Sequence, residues 1–79
     1  MNVLFFAQAA DAAGCTAEHW DVREPMTLSD FWAEAVRRHP ALDAIRAHCR
    51  VASNLEYVAE NQTLDPDGET AVLPPVSGG

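Results

Sequence analysis

The strongest constraint on how this chain can fold is a single amphipathic stripe near its middle. Leu28, Phe31, Trp32, Ala35 and Val36 recur at spacings of three and four, the period that gathers apolar side chains on one face of an α-helix. Both ends of the stripe carry boundary signals. Pro25-Met26-Thr27 breaks the preceding pattern, Thr27 or Ser29 can cap the first turn, and Asp30 and Glu34 suit its positive end. Arg37, Arg38 and His39 complement the dipole at the other end, and Pro40 stops the helix. Phe31 and Trp32 at this spacing predict core packing rather than a stacking platform. A shorter helical turn over 41–47 is expected to carry Leu42 and Ile45 inward.

One helix cannot bury its own stripe, so the flanking segments must supply the other wall. Residues 2–8 open with Val3-Leu4-Phe5-Phe6-Ala7 and predict a buried strand, ending near the turn-prone Asp11-Ala12-Ala13-Gly14. His19 to Arg23 alternates loosely and predicts a short second strand returning beside the first, a hairpin with a long connection. After the helix, 48–53 reads as a strand, Asn54 as a turn, and Glu56-Tyr57-Val58 as a short strand. Leu64 is expected to plug the core. Asp65-Pro66-Asp67-Gly68 is a turn, Glu69 to Leu73 is a final strand, and Pro74-Pro75 ends it because neither proline can donate to a ladder.

At 79 residues there is room for one core, and folding buries only about 60% of the unfolded surface. Strand, strand, helix and two or three further strands form an α+β arrangement, most simply a sheet with one helix packed across it. That is the element order of the β-grasp fold of ubiquitin. The expectation is a mixed four- to five-stranded sheet, one main helix, a short second helix, and an extended C-terminal tail. Residues 1–74 form the domain and 75–79 a flexible tail.

Charge and special residues narrow the function. Twelve acidic residues face five cations, all arginine, for a net charge of −7. Such a surface repels phosphate backbones, which argues against nucleic acid, and suits a basic protein partner. The opening apolar run lacks a cationic flank and is too short for a signal core or a membrane span. Cys15 and Cys49 form no C-x-x-C and read as reduced thiols of a cytoplasmic protein. No base stands beside either in sequence, and His19, His39 and His48 lack metal-ligand spacing, so packed thiols, surface or capping histidines and no metal site are expected. The acidic groups are scattered rather than paired, against acid–base catalysis by this chain.

That leaves the end of the chain. Gly78-Gly79 follows Pro74-Pro75-Val76-Ser77, and the prolines favour an extended exit from the last strand. Six residues from Pro74 reach about 20 Å when extended. Without side chains, Gly78 and Gly79 can enter a channel closed to bulkier residues. The carboxylate of Gly79, with a pKa near ~3.5, is a poor electrophile and needs activation, most simply as an acyl-adenylate. No phosphate-binding loop is present in the chain, so ATP must be used in trans on a partner, and no bound cofactor is expected. Displacing the adenylate with sulfur gives a thiocarboxylate; displacing it with an amine gives an isopeptide bond. The residues allow both.

Several stretches resemble one known family, the small, sulfur-carrying subunit of molybdopterin synthase. They are Val3-Leu4-Phe5-Phe6-Ala7-Gln8, Ala52-x-Asn54 with Tyr57-Val58, and Asp67-Gly68-Glu69 followed by Pro74-Pro75-Val76-Ser77-Gly78-Gly79. The resemblance implies a β-grasp fold and a carrier that is not catalytic by itself. It implies adenylation of Gly79 by an activating enzyme of the E1 type and conversion to a thiocarboxylate by a sulfur donor. Pro75, Val76, Ser77 and Gly78 then insert into the large synthase subunit, which passes sulfur to cyclic pyranopterin monophosphate. The implied synthase is a heterotetramer, and Phe6, Tyr57 and Leu73 are implied to dock on partners. Ser53 departs from the family pattern, as does much of 11–24. Carriers for thiamine or cysteine synthesis, ubiquitin-like modifiers and a plain interaction module are the alternatives. The absence of lysine excludes self-linked lysine chains from this sequence.

Overall fold

The computed structural model describes residues 1–75. In chain order these form β1 (Asn2–Phe5), α1 (Gln8–Ala13), β2 (Ala17–His19), β3 (Met26–Thr27) and α2 (Leu28–Arg38). Two short 3₁₀ turns follow, Pro40–Ala44 and Arg46–His48, then β4 (Arg50–Ser53), β5 (Glu56–Tyr57), β6 (Thr63–Leu64) and β7 (Glu69–Leu73). Within the described residues, the main sheet has the order β2-β1-β7-β4-β5, and β3 pairs with β6 in a small second sheet. β1 and β7 run parallel at the centre; the other pairs are antiparallel. This is the expected mixed sheet with one main helix across it. No described helix is long and apolar enough to cross a membrane.

Local chemistry accounts for most element ends. Thr27 Oγ1 accepts from the Asp30 amide at 3.0 Å, so Thr27 rather than Ser29 caps α2. The short second helix expected over 41–47 is present as the two 3₁₀ turns, with Leu42 buried and Ile45 packed at the core edge. The first strand is shorter than expected. After Phe5 the chain turns, and Gln8-Ala9-Ala10-Asp11-Ala12-Ala13 forms α1, ended by Gly14 at φ 74°. Alanine's helix propensity and burial of Ala9 take these residues out of the connection. The second strand is Ala17–His19 rather than His19 to Arg23, ending where Trp20 is held at the core, with its amide donating to the Met1 carbonyl at 2.8 Å.

Pairing register sorts every strand residue onto one of two faces. Val3 lies opposite Glu18 and Thr70, Phe5 opposite Val72, and Val72 opposite Val51; this row faces α2. Trp20, Phe31, Leu42, Leu64, Val3 and Val72 are fully buried there, and Trp20 stacks on Phe31 with centroids 5.0 Å apart. Each such side chain is worth about 1.5–3 kcal/mol of burial. Thr70 is also fully buried, yet its hydroxyl has no partner among the described residues. An orphaned hydroxyl costs about 1–3 kcal/mol. Replacing Thr70 with the near-isosteric valine is therefore expected to stabilise the domain by about 1 kcal/mol, read as a higher urea midpoint at constant slope.

Candidate functional site

The opposite face of the sheet is polar at one end, where Asn2 lies opposite His19 and Glu69, and apolar towards the other. Leu4 lies opposite Ala17 and Ala71, Ala71 opposite Ala52, Leu73 opposite Arg50, and Ala52 opposite Tyr57. These side chains share one surface, on which Leu4, Phe6, Ala52, Leu55, Tyr57, Ala71 and Leu73, with Glu69 as the one charged member, line a shallow groove of about 290 Å³. Phe6 is 45% exposed, Tyr57 58% and Leu55 94%. Among the described residues this patch of two aromatics and three leucines is left open, and an apolar patch on so small a domain is suited to contact with a partner. Phe6, Tyr57 and Leu73, implied by the resemblance from positions 51 and 16 residues apart, thus fall on one face. Arg50 lies over the Tyr57 ring, guanidinium carbon 3.9 Å from its centroid, adding a cation at the border of the apolar surface.

Backbone strain is concentrated beside this patch. Among the described residues, the non-glycine positions at positive φ are Ala7 (48°), Asn54 (50°) and Leu55 (71°). Ala7 follows Phe6 and turns the chain away from the sheet into α1, leaving the Phe6 ring outside. Asn54 and Leu55 are the two central residues of the β4–β5 hairpin, since Ser53 pairs with Glu56. Two positive φ values make this a type I′ turn, in which the second position ordinarily takes glycine. A leucine there is strained by about 1–3 kcal/mol and almost wholly exposed, so folding gains nothing from it. It is suited to contact with another surface.

Asn54 holds that turn in place. Its amide and carboxamide reach across to the 65–69 turn: the Asn54 N–H donates to the Glu69 carbonyl at 2.8 Å. The Glu69 N–H donates to Asn54 Oδ1 at 3.0 Å, and Asn54 Nδ2 donates to Asp65 Oδ2 at 3.0 Å. Asp65 Oδ1 also accepts from the Asp67 amide at 2.9 Å, and these bonds hold its carboxyl below the ordinary range. Gly68 lies under the Asn54 carboxamide, where any Cβ would collide with it. The Asn54 and Asp67-Gly68-Glu69 motifs, 13 residues or more apart in sequence, are one interlocked unit that aims Leu55.

The same face is where the chain leaves the sheet. β7 ends at Leu73, and Phe6 donates its amide to the Val72 carbonyl at 3.3 Å beside it. Pro74 and Pro75 follow outside the strand. Val76, Ser77, Gly78 and Gly79, which carry the tail assignments, lie outside the described residues. Leu4, Arg50, Ala52, Leu55 and Ala71 were not identified from the sequence; Asn54-Leu55 between two strands was the available signal for the turn, but which face each strand presents needs the register.

Comparison with known proteins gives a family model described as the ThiS family, which matches residues 3–79. The chain is 33% identical over 81 residues to the molybdopterin synthase sulfur carrier subunit of Chlamydomonas reinhardtii, covering all of this chain and 98% of that protein. It is 35% identical over 82 residues to the subunit of the same name from Homo sapiens, covering all of this chain and 93% of that one. The crystal structure of small archaeal modifier protein 1 from Haloferax volcanii superposes with a TM-score of 0.82 at 33% identity, over 100% of this chain and 98% of that one.

Proposed function

Because the chain belongs to the ThiS family, we propose that it is the sulfur carrier subunit of a molybdopterin synthase and works through the carboxyl group of Gly79. The observation that carries this reading is full-length similarity to proteins named as that subunit, with the family match running through Gly79 itself. An activating enzyme adenylates Gly79 with ATP, and a sulfur donor displaces AMP to leave the thiocarboxylate. The large synthase subunit then takes up Pro75, Val76, Ser77, Gly78 and Gly79, and sulfur passes to cyclic pyranopterin monophosphate. Two such subunits at the ends of a large-subunit dimer make the assembled heterotetramer, in the cytoplasm.

The fold suits this division of labour. The apolar face beside the end of β7 gives a partner something to grip while the tail enters its active site, so binding energy gathered at Phe6, Leu55, Tyr57 and Leu73 positions the reacting carboxyl. Catalysis rests with the partners. Incubating the chain with the activating enzyme, ATP and a sulfur source is expected to raise its intact mass by the difference between sulfur and oxygen, on the peptide containing Gly79. An unchanged mass with competent partners overturns the reading.

A second reading, conjugation to other proteins, is favoured by the likeness to small archaeal modifier protein 1. It predicts Gly79-linked lysine remnants in digests of whole cells. Sulfur carriers for thiamine or cysteine synthesis use the same tail chemistry and are separated from the first reading by co-purification with the large synthase subunit.

A further inference from the structure

On the other side of the sheet, the fold assembles three donor side chains that lie apart in sequence. Cys15 follows α1, where Gly14 at φ 74° turns the chain; Glu18 is the middle residue of β2; His39 ends α2. Glu18 lies opposite Val3, so its side chain is on the helix side, away from the apolar face. His39 Nε2 is 2.9 and 3.0 Å from the two Glu18 carboxylate oxygens. Cys15 Sγ is 3.8 Å from Glu18 Oε2. The sulfur, nitrogen and carboxylate donors all lie within 4.8 Å of one another, and each residue is partly buried. The thiol and imidazole for which the sequence indicated no partner thus share one carboxylate.

We propose that Cys15, Glu18 and His39 form a binding site for a borderline-soft divalent cation, with Zn²⁺ the ion its donor set fits. One thiolate sulfur, one imidazole nitrogen and one carboxylate oxygen are the ligand types zinc takes, and three protein donors leave a fourth position for water or an exogenous ligand. Ordinary zinc bond lengths in a tetrahedron place donors ~3.3–3.6 Å apart. The spacings from the carboxylate, 2.9 to 3.8 Å, bracket that range, and the sulfur and nitrogen, at most 4.8 Å apart, need close by no more than roughly 1.3 Å to reach it. Charge also balances: thiolate and carboxylate neutralise a divalent ion, and the half-buried site carries no net charge when filled. Binding replaces the Cys15 S–H bond with a sulfur–metal bond and releases that proton to solvent. His39 binds through the Nε2 lone pair, so a proton held on Nε2 is displaced, to Nδ1 of a neutral ring or to solvent from a charged one.

The surroundings already orient the donors. Trp20 Nε1 donates to Glu18 Oε1 at 2.7 Å, the kind of outer hydrogen bond that fixes a ligating carboxylate. The His39 ring packs edge-on against Phe5 at 5.6 Å, and its amide is fixed to the Ala35 carbonyl at 2.8 Å. Burial alone pushes the Glu18 carboxyl up, but its bonds to Trp20 and His39 and the charges of His39 and Arg38 hold it below the ordinary range. Burial, then the Glu18 charge, pushes the Cys15 thiol up, so without a cation the sulfur remains protonated. A filled site would tie the α1–β2 connection to the end of α2.

The test is a titration of the full-length, metal-free chain with Co²⁺ as a spectroscopic stand-in, followed by competition with Zn²⁺. One equivalent is expected to give a near-ultraviolet thiolate-to-cobalt charge-transfer band and tetrahedral visible bands, both removed by Zn²⁺. Cys15→Ser is expected to abolish the charge-transfer band and Cys49→Ser to leave it unchanged. Trp20→Phe should weaken binding about tenfold. Phe6→Asp, on the other face, should leave the affinity unchanged. A band that survives Cys15→Ser, or saturation without one, overturns the proposal. Where a variant unfolds, long-range ¹H–¹⁵N spectra of the wild type titrated with Zn²⁺ decide: the His39 ring nitrogens must shift at one equivalent, and shifts confined to His19 or His48 refute the site.

Discussion

A chain truncated after Ser77 gains no sulfur when incubated with an activating enzyme, ATP and a sulfur donor that load the intact chain. The expected loss is complete because the carboxyl group then stands two residues short of its position, behind the Ser77 side chain rather than two bare glycines. Replacing Gly79 with alanine is the finer probe. It keeps a terminal carboxylate at the same distance but adds one methyl in a passage suited to glycine. Misplacing a reacting group by about 1 Å can cost ~100-fold in rate, so loading should slow by about that factor while remaining measurable. The domain's unfolding midpoint should not move in either variant, since the core among the described residues is complete between Met1 and Val72. Loss of loading with an unchanged midpoint places the effect at the tail; full loading of the truncated chain would eliminate Gly79 as the reactive residue.

The second large effect is expected at the apolar face. Phe6→Asp puts a charge on the apolar surface that the proposed docking would strip of water. Central aromatic anchors are worth about 2–4 kcal/mol, so affinity for the large synthase subunit should fall by at least ~30-fold. The same fall is expected for Tyr57→Ala, which also removes the ring over which Arg50 lies. Both residues are exposed, so stability should change little. Leu55→Gly is the discriminating variant because it moves two quantities in opposite directions. Glycine relieves the strain at φ 71° and should stabilise the isolated domain by about 1 kcal/mol, while loss of the exposed side chain weakens the complex. Calorimetry for binding and denaturant melts for stability read the two separately. If Leu55→Gly stabilises the domain and binding is untouched, the strained leucine has no role in docking.

Several elements were legible because their determinants are local. The helix Leu28–Arg38 has its stripe, its Thr27 cap and its proline stop within 15 residues of sequence. Strand Glu69–Leu73 is bounded by a strong turn and by Pro74. Where local signals competed, the reading failed by a few residues. The segment after Phe5 could extend the strand or start an alanine-rich helix, and burial of Ala9 against the core decided for the helix. β3 and β6 are each two residues long, too short for any period to register.

What the sequence by itself determined is a helix with a single apolar face and strands enough to cover it; the role proposed for Gly79 rests on the sequence as well. Only the tertiary structure decided which face each strand residue occupies and which distant side chains meet. A strand's side chains alternate, so one step of register exchanges its faces. That register is set by β1 lying parallel to β7 across more than sixty residues of chain, a contact no local pattern encodes. Long-range pairing gathered Phe6, Leu55, Tyr57 and Leu73 on one side of the sheet, and brought Cys15, Glu18 and His39 together on the other.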